Sequence, residues 1–237
     1  MPQPFLSCRL CGHSVDLFVK RKERWYERCP RCHFIQVKFE HLPSLEEERK
    51  EYLLHDNHPE QKGYRRFLSP ITNLALKWLQ SQSKDDIRIL DFGAGSGRAI
   101  AAILAESGWQ VNNYDPIFGP FELPDKGSVD LLICTEVVEH FHQPMNDWSR
   151  MVQLLSTRGV ALVMTEWSNN HDNGSDFLNW HYIREHSHVG FYHQDTFRWL
   201  SKELGFRVQF HAPRVVAIHN GKMDEIIEEK RQRSALI

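Results

Sequence analysis

The downstream two thirds of the chain alternate short, solid apolar runs with longer amphipathic stretches. Ile87, Ile89 and Leu90 make the first run, Val129 to Cys134 (VDLLIC) the next, and Val160 to Met164 a third. Runs of this length read as strands buried on both faces, as in a parallel sheet. Arg98 to Glu106 (RAIAAILAE) carries an apolar stripe, and Trp148, Met151, Val152, Leu154 and Leu155 recur at helical spacing. A weaker strand runs from Gly108 to Asp115. The order strand, helix, strand, strand, helix, strand predicts a parallel α/β sheet with right-handed crossovers. Gln194 to Leu204 reads as a further helix, and Phe206–Phe210 with Val215–Ile218 as a closing strand pair. Between Asp115 and Val129 the chain is too short for a helix plus a strand, so one edge of the sheet is expected to be abbreviated.

Upstream, Ile71, Leu74, Ala75, Trp78 and Leu79 define an amphipathic helix. Pro43 marks a linker, and Ser44 followed by Glu47 predicts a capping box opening another helix. The tail KMDEIIEEKRQRSALI mixes charges and reads as a solvated segment.

Composition changes the picture in three ways. At 237 residues, one substantial core and a small extra module fit. A net charge of −2 gives no global attraction to nucleic acid or membrane, and no DNA partner is expected. With no long apolar run and no apolar signal core, neither membrane insertion nor export is predicted and the expected compartment is the cytoplasm. There, five cysteines point to metal ligands or free thiols and not to disulfides.

Four of them form Cys8-x-x-Cys11 and Cys29-x-x-Cys32, seventeen residues apart. That spacing predicts a closed four-thiolate zinc site, Zn2+ being structural, in a ribbon whose strands are VDLFVK and ERWYERC. Gly12 follows a knuckle where positive φ is often needed. His13 and His33 read as solvent-facing. The module is locally basic, with Arg9, Lys20, Arg21, Lys22, Arg24, Arg28, Arg31 and Lys38 against Asp16, Glu23 and Glu27, and Trp25 and Tyr26 are interleaved. Such a surface permits RNA contact; a solvated face is the plainer reading.

The chemistry centres on Asp91-Phe92-Gly93-Ala94-Gly95-Ser96-Gly97. A strand, a glycine turn and a helix let a ligand approach bare backbone. Dinucleotide sites need glycines at positions one, three and six, whereas here the third glycine stands at five, and the Lys-Ser/Thr ending of a P-loop is absent. This stretch resembles the first motif of class I S-adenosylmethionine-dependent methyltransferases. Asn113-Tyr114-Asp115 and Cys134-Thr135-Glu136-Val137-Val138-Glu139-His140 resemble their second- and fourth-strand motifs, the latter in the Glu-His-x-x-x-Pro form of small-molecule methylases.

The resemblance implies an α/β fold with a Rossmann-like, doubly wound, mostly parallel sheet lacking a full third strand, beside the N-terminal ribbon. It implies S-adenosylmethionine as cofactor, held by Asp91, Phe92, Gly93, Ala94, Gly95, Gly97, Thr135 and Glu136, with the ribose on Asp115 and Pro116 and Ile117 against the adenine. The predicted divisions are a ribbon over 1–42, a helical cap over 43–84, a methyltransferase domain over 85–221 and the tail over 222–237. Tyr52, His55, Asn57 and Tyr64 are candidate cap residues. The long polar loop 168–188 follows a strand end, where substrate loops belong. His140, His188, His181 and Glu166 are the candidate proton acceptors. Two acceptor classes follow, a small aromatic or lipid-like molecule or RNA docked by the ribbon. A binding protein that kept the fold without the chemistry is a third reading.

Overall fold

The computed structural model describes residues 7–54, 57–84, 86–211 and 213–219. His55 and the charged tail lie outside the described residues. The chain opens with three antiparallel strands, β1 (Asp16–Arg21), β2 (Arg24–Arg28) and β3 (Ile35–Val37). Helix α1 (Leu45–Leu54) begins at the expected capping box: the Glu47 backbone N–H donates to Ser44 Oγ at 3.3 Å, and the Ser44 N–H donates to the Glu47 carboxylate at 2.8 Å.

Helix α2 (Lys62–Leu79) buries Leu68, Ile71, Ala75 and Leu79 on one stripe and carries Pro70 in its interior. Proline has no N–H for the Arg66 carbonyl one turn back. The Ser69 hydroxyl donates to that carbonyl instead, at 2.8 Å.

The central sheet follows. Strand β4 (Ile89–Phe92), helix α3 (Ala99–Ala105), strand β5 (Val111–Tyr114) and strand β6 (Val129–Thr135) lead to α4 (Pro144–Gln153) and β7 (Leu155–Met164). Helix α5 (Gly174–Asn179) and strand β8 (Gly190–Phe191) lie in the next loop. Helix α6 (Gln194–Leu204), β9 (Arg207–His211) and β10 (Val215–His219) complete the described chain.

The strand order is β5-β4-β6-β7-β10-β9. β5, β4, β6 and β7 are parallel, and β10 runs antiparallel to both β7 and β9, as the closing pair predicts. Among the described residues no strand intervenes between β5 and β6, so β5 is the sheet edge. The predicted α/β, doubly wound, mostly parallel sheet with an abbreviated third-strand region is therefore the observed one. The strand from Val160 is longer than its apolar run suggests: it begins at Leu155, across from Val129, so the preceding helix stops at Gln153.

Alternate strand residues enter opposite core layers, as a pleated sheet requires. Leu90, Leu132, Ala161, Val163, Val216 and Ile218 face Trp148, Met151, Phe197 and Leu200. Ile89, Leu131, Ile133, Leu162 and Ala217 face Leu68, Ile71, Ile100 and Leu104. The cysteines Cys8, Cys29 and Cys32, with Leu10 and Phe34, join the first layer.

The ribbon sheet has four strands, in the order β1-β2-β3-β8. Its last member comes from the far side of the chain: Ile35 pairs with Phe191 and Gln36 with Gly190. A third apolar cluster joins Tyr26, Ile35 and Val37 of the ribbon to Phe177, Trp180, Tyr182, Ile183, Val189 and Phe191. The ribbon and the 168–192 loop thus share one sheet and one core.

Candidate active site

The four cysteines converge. The thiols of Cys8 and Cys32 are 3.6 Å apart, those of Cys11 and Cys29 3.4 Å, and all four ligand atoms lie within 4.8 Å of one another. Two matching knuckles bring them there. The Gly12 N–H donates to the Cys8 carbonyl and the His33 N–H to the Cys29 carbonyl. Gly12 has φ +71°, and His33, at the equivalent place, has φ +59°. Cys8 is pulled down to about 6 by the thiol hydrogen bond from Cys32, while burial pushes Cys11 up to about 12. Four sulfur ligands converging at this spacing form a donor set that suits Zn2+.

At the other centre, the carboxyl ends of β4 and β6 carry a set of buried polar atoms. Asp91, 2% exposed, leaves Oδ2 without a hydrogen-bond partner among the described residues; Thr135 Oγ1 and Glu136 Oε1 do the same. Burial, reinforced by the nearby charge of Asp115, pushes the Asp91 carboxyl up to about 8. Burial and Glu139 raise Glu136 as well. Glu136 holds φ at +52°, a left-handed conformation that a residue with a side chain adopts at a cost of about 1–2 kcal/mol. Such strain collects at functional sites.

The glycine turn begins behind Phe92, which is buried against the Tyr114 ring. The N–H groups of Gly93 and Ala94 donate to the Tyr114 carbonyl, and that of Gly95 to Asp115 Oδ2 at 2.8 Å. At Gly97 a Cβ would overlap the carbonyl oxygen of Asn57, so the segment between α1 and α2 lies directly across the turn. Asp115 itself is buried, and its Oδ1 accepts from Ile117 and Phe118 N–H at 2.8 Å each. The residue expected to read ribose hydroxyls therefore already accepts three backbone N–H groups and shapes the turn. Pro116 is exposed and Ile117 half-buried beside it.

The cap residues approach from α1 and α2. Burial and the charges of Asp91 and Glu136 push the Tyr64 phenol up to about 12. The Tyr52 ring packs on His140, with centroids 5.1 Å apart.

The four candidate proton acceptors fall into two pairs. The His140 and His188 rings are in contact, centroids 4.9 Å apart. His140 Nδ1 meets the Ser187 carbonyl at 2.9 Å, and His188 Nδ1 meets the Tyr182 carbonyl at 2.8 Å. A carbonyl only accepts, so each Nδ1 carries a proton and donates it. His181 instead is exposed and lies 3.5 Å from Glu166. Glu166 is paired with Arg214 at 2.9 Å and accepts from Trp180 Nε1 at 2.8 Å.

Glu139 is the residue to which sequence reasoning gave no role of its own. Glu139 is fully buried, its carboxyl pushed up by burial. It accepts from the Tyr182 hydroxyl at 2.5 Å and from the Thr165 hydroxyl at 3.1 Å. The available signal was a second acid three residues after Glu136, directly behind Val137 and Val138, where an unpaired buried charge is costly.

Three of the ribbon's basic residues engage other parts of the chain, while Lys20, Arg21, Lys22 and Arg31 are exposed. Arg9 donates to the carbonyls of Phe141, His142 and Val189, at 3.2, 3.0 and 2.5 Å. Arg24 donates to the carbonyls of Glu185 and His188, and Arg28 pairs with Asp172 at 2.8 Å.

Among solved structures, the fold is similar to the PH0226 protein from Pyrococcus horikoshii OT3, at 12% identity and TM-score 0.47, over 71% of this chain and 96% of that one. It is also similar to the mitomycin 7-O-methyltransferase MmcR, at 16% identity and TM-score 0.45, over 68% and 58%. A phosphoethanolamine N-methyltransferase 2 of Haemonchus contortus aligns at 19% identity and TM-score 0.45, over 69% and 42%. At these values the likenesses carry no substrate to this chain. No curated protein sequence matches it. No helix among the described residues is long and apolar enough to cross a membrane. The profile of the methyltransferase-domain family matches residues 61–210, more than half of the sequence, and the chain belongs to that family.

Proposed function

We propose that this chain is an S-adenosylmethionine-dependent methyltransferase acting on a small molecule, with the cysteine module as a zinc-bound buttress. The observation that carries the cofactor is the set of unpartnered buried atoms Asp91 Oδ2, Thr135 Oγ1 and Glu136 Oε1 at two adjacent strand ends. A ligand with cationic and hydrogen-bond-donating groups would satisfy them, and S-adenosylmethionine has both. When bound, it supplies an electrophilic methyl group on a sulfonium.

The chain's own residues then orient and enclose. The glycine turn lets backbone approach the ligand closely, and the Asn57 segment covers it. Holding acceptor and methyl in line at short distance is the main source of rate in such a transfer. His140 and His188, each anchored through Nδ1, are the residues we assign to take a proton from an acceptor. His181 and Glu166 serve the loop's own ion pairs.

Support for a small acceptor over RNA comes from the ribbon's arginines. Arg9, Arg24 and Arg28 engage the chain's own carbonyls and Asp172. Their role is to hold the 168–192 loop against the strand ends, which leaves them unavailable to phosphates. The test uses methyl-labelled cofactor and a lysate from cells lacking this protein, separated into RNA, protein and organic-solvent fractions. Label is expected in the organic fraction. Label confined to RNA would overturn the small-molecule reading, and no label together with no cofactor binding by calorimetry would overturn the enzyme reading. Elemental analysis of protein purified without chelator should give one zinc per chain.

A further inference from the structure

Beside the strand-end carboxyls lies a second cluster of different chemistry. Glu139, His140 and His188 each offer a ligand atom within 4.8 Å of the others. Glu139 is fully buried, His188 is 7% exposed and His140 is half-buried. Each group is already oriented. The two imidazoles are fixed through Nδ1 by the carbonyls of Ser187 and Tyr182, and the carboxylate by the hydroxyls of Tyr182 and Thr165. Anchoring the outer nitrogen of a histidine on a carbonyl, so that the other nitrogen points its lone pair inward, is how protein metal ligands are set. Glu139 forms no ion pair with a Lys or Arg among the described residues. A buried carboxyl beside two imidazoles, with no such Lys or Arg paired to it, is a donor set that a cation would complete.

We propose that Glu139, His140 and His188 bind a divalent first-row transition ion at the mouth of the loop, separate from the four-cysteine site. Two imidazoles and one carboxylate suit Mn2+, Fe2+, Co2+ or Zn2+, whereas Mg2+ and Ca2+ take oxygen ligands. Three protein ligands leave coordination positions open, as in ions that take part in chemistry; the four-thiolate site is closed. The ion would occupy the Nε2 lone pairs. Proton acceptance by the two histidines and ion binding are therefore alternatives, which the measurement separates.

The test is a titration of the full-length protein, loaded with one zinc equivalent per chain for the four cysteines and freed of excess zinc, with Mn2+, followed by loss of the free-ion electron paramagnetic resonance signal. Thiolates disfavour Mn2+, so the probe reports the nitrogen-oxygen site. No cofactor or acceptor is added, so the outcome is independent of the methyl-transfer reading, which calorimetry with the cofactor tests by itself. One Mn2+ per chain is expected. His188→Ala and Glu139→Gln should each weaken it at least tenfold. Because both positions are buried, His140→Gln at the half-buried position is the companion variant, with folding checked by circular dichroism; it too should lose at least tenfold. Absence of Mn2+ and Co2+ binding by the wild type, or equal affinity in folded His140→Gln, would overturn the site.

Discussion

The Tyr182 hydroxyl stands between two carboxyl groups, 2.5 Å from Glu139 Oε1 and 3.0 Å from Glu136 Oε2. A phenol has one hydrogen and can donate it once. For both contacts to be hydrogen bonds, one carboxyl must keep its proton, and burial raises the affinity of both for it. Tyr182→Phe removes the shared hydroxyl and leaves a fully buried carboxyl short of a donor. The expected destabilisation is about 1–3 kcal/mol. Urea unfolding at neutral pH measures it, and a variant as stable as wild type would show that the hydroxyl does not bridge the pair.

The same kind of leverage operates through Arg9, more than one hundred residues upstream of its partners. Its guanidinium joins the carbonyls of Phe141, His142 and Val189, and burial lowers it to about 10 without removing its charge at neutral pH. Arg9→Met leaves the Phe141 and His142 carbonyls without this donor, while Val189 keeps the Val37 N–H, for an expected loss of about 3 kcal/mol, since hydrogen bonds to charged groups contribute about 1.5–3 kcal/mol each and part is recovered by water. Arg9→Lys should recover less than half, because an ammonium is a point donor and not a planar fork. Denaturant midpoints of the two variants decide this; equal midpoints would mean that charge alone matters.

How much of this was readable in the sequence depends on the range of the interaction. The β4, β6 and β7 runs, the Ser44–Glu47 capping box and the glycine turn are local patterns, and the structure has them where the residues indicate. The shortened edge followed from counting residues between Asp115 and Val129. What escaped was long-range. Nothing near Arg24 or Arg28 indicates that these two side chains would meet Glu185, His188 and Asp172 as a clamp, while Lys20, Arg21, Lys22 and Arg31 of the same module are exposed as a solvated face would have them. The pairing of Gly190 and Phe191 with β3 is likewise invisible, because two residues make no periodic pattern. The site histidines were found as residue types; their division into an anchored pair and an ion-paired outlier needed the loop's path.

Asp91 links stability to pH. Its folded-state value, raised to about 8, lies well above the ordinary aspartate value of about 3.9. The unfolded carboxyl ionises first, so a group raised on folding favours the folded state below the unfolded value. That contribution is lost as pH rises toward 8, at up to about 1.4 kcal/mol per pH unit. Cofactor-free wild type should therefore lose stability from pH 5 to 8 relative to Asp91→Asn, which cannot ionise. Glu136 and Glu139 carry the same sign in both proteins, so the difference isolates Asp91. Parallel melting curves across that range would remove Asp91 from the unpartnered set that supports cofactor binding.

Two glycines of one turn should respond differently to the same methyl group. Gly95 has φ +63° and open space around a would-be Cβ, so Gly95→Ala meets backbone strain alone, about 1–2 kcal/mol. At Gly97 the added Cβ would overlap the Asn57 carbonyl, and backbone on the facing segment has to move away. If that segment encloses the cofactor, Gly97→Ala should weaken S-adenosylhomocysteine binding at least tenfold, about 1.4 kcal/mol or more. It should do so with a smaller loss of fold stability than Gly95→Ala. Calorimetry paired with thermal melts gives both quantities for each variant. Unchanged affinity in folded Gly97→Ala would mean that the Asn57 segment merely packs on the turn, and that enclosure of the cofactor falls to Tyr64 and the loop held by Arg9 and Arg24.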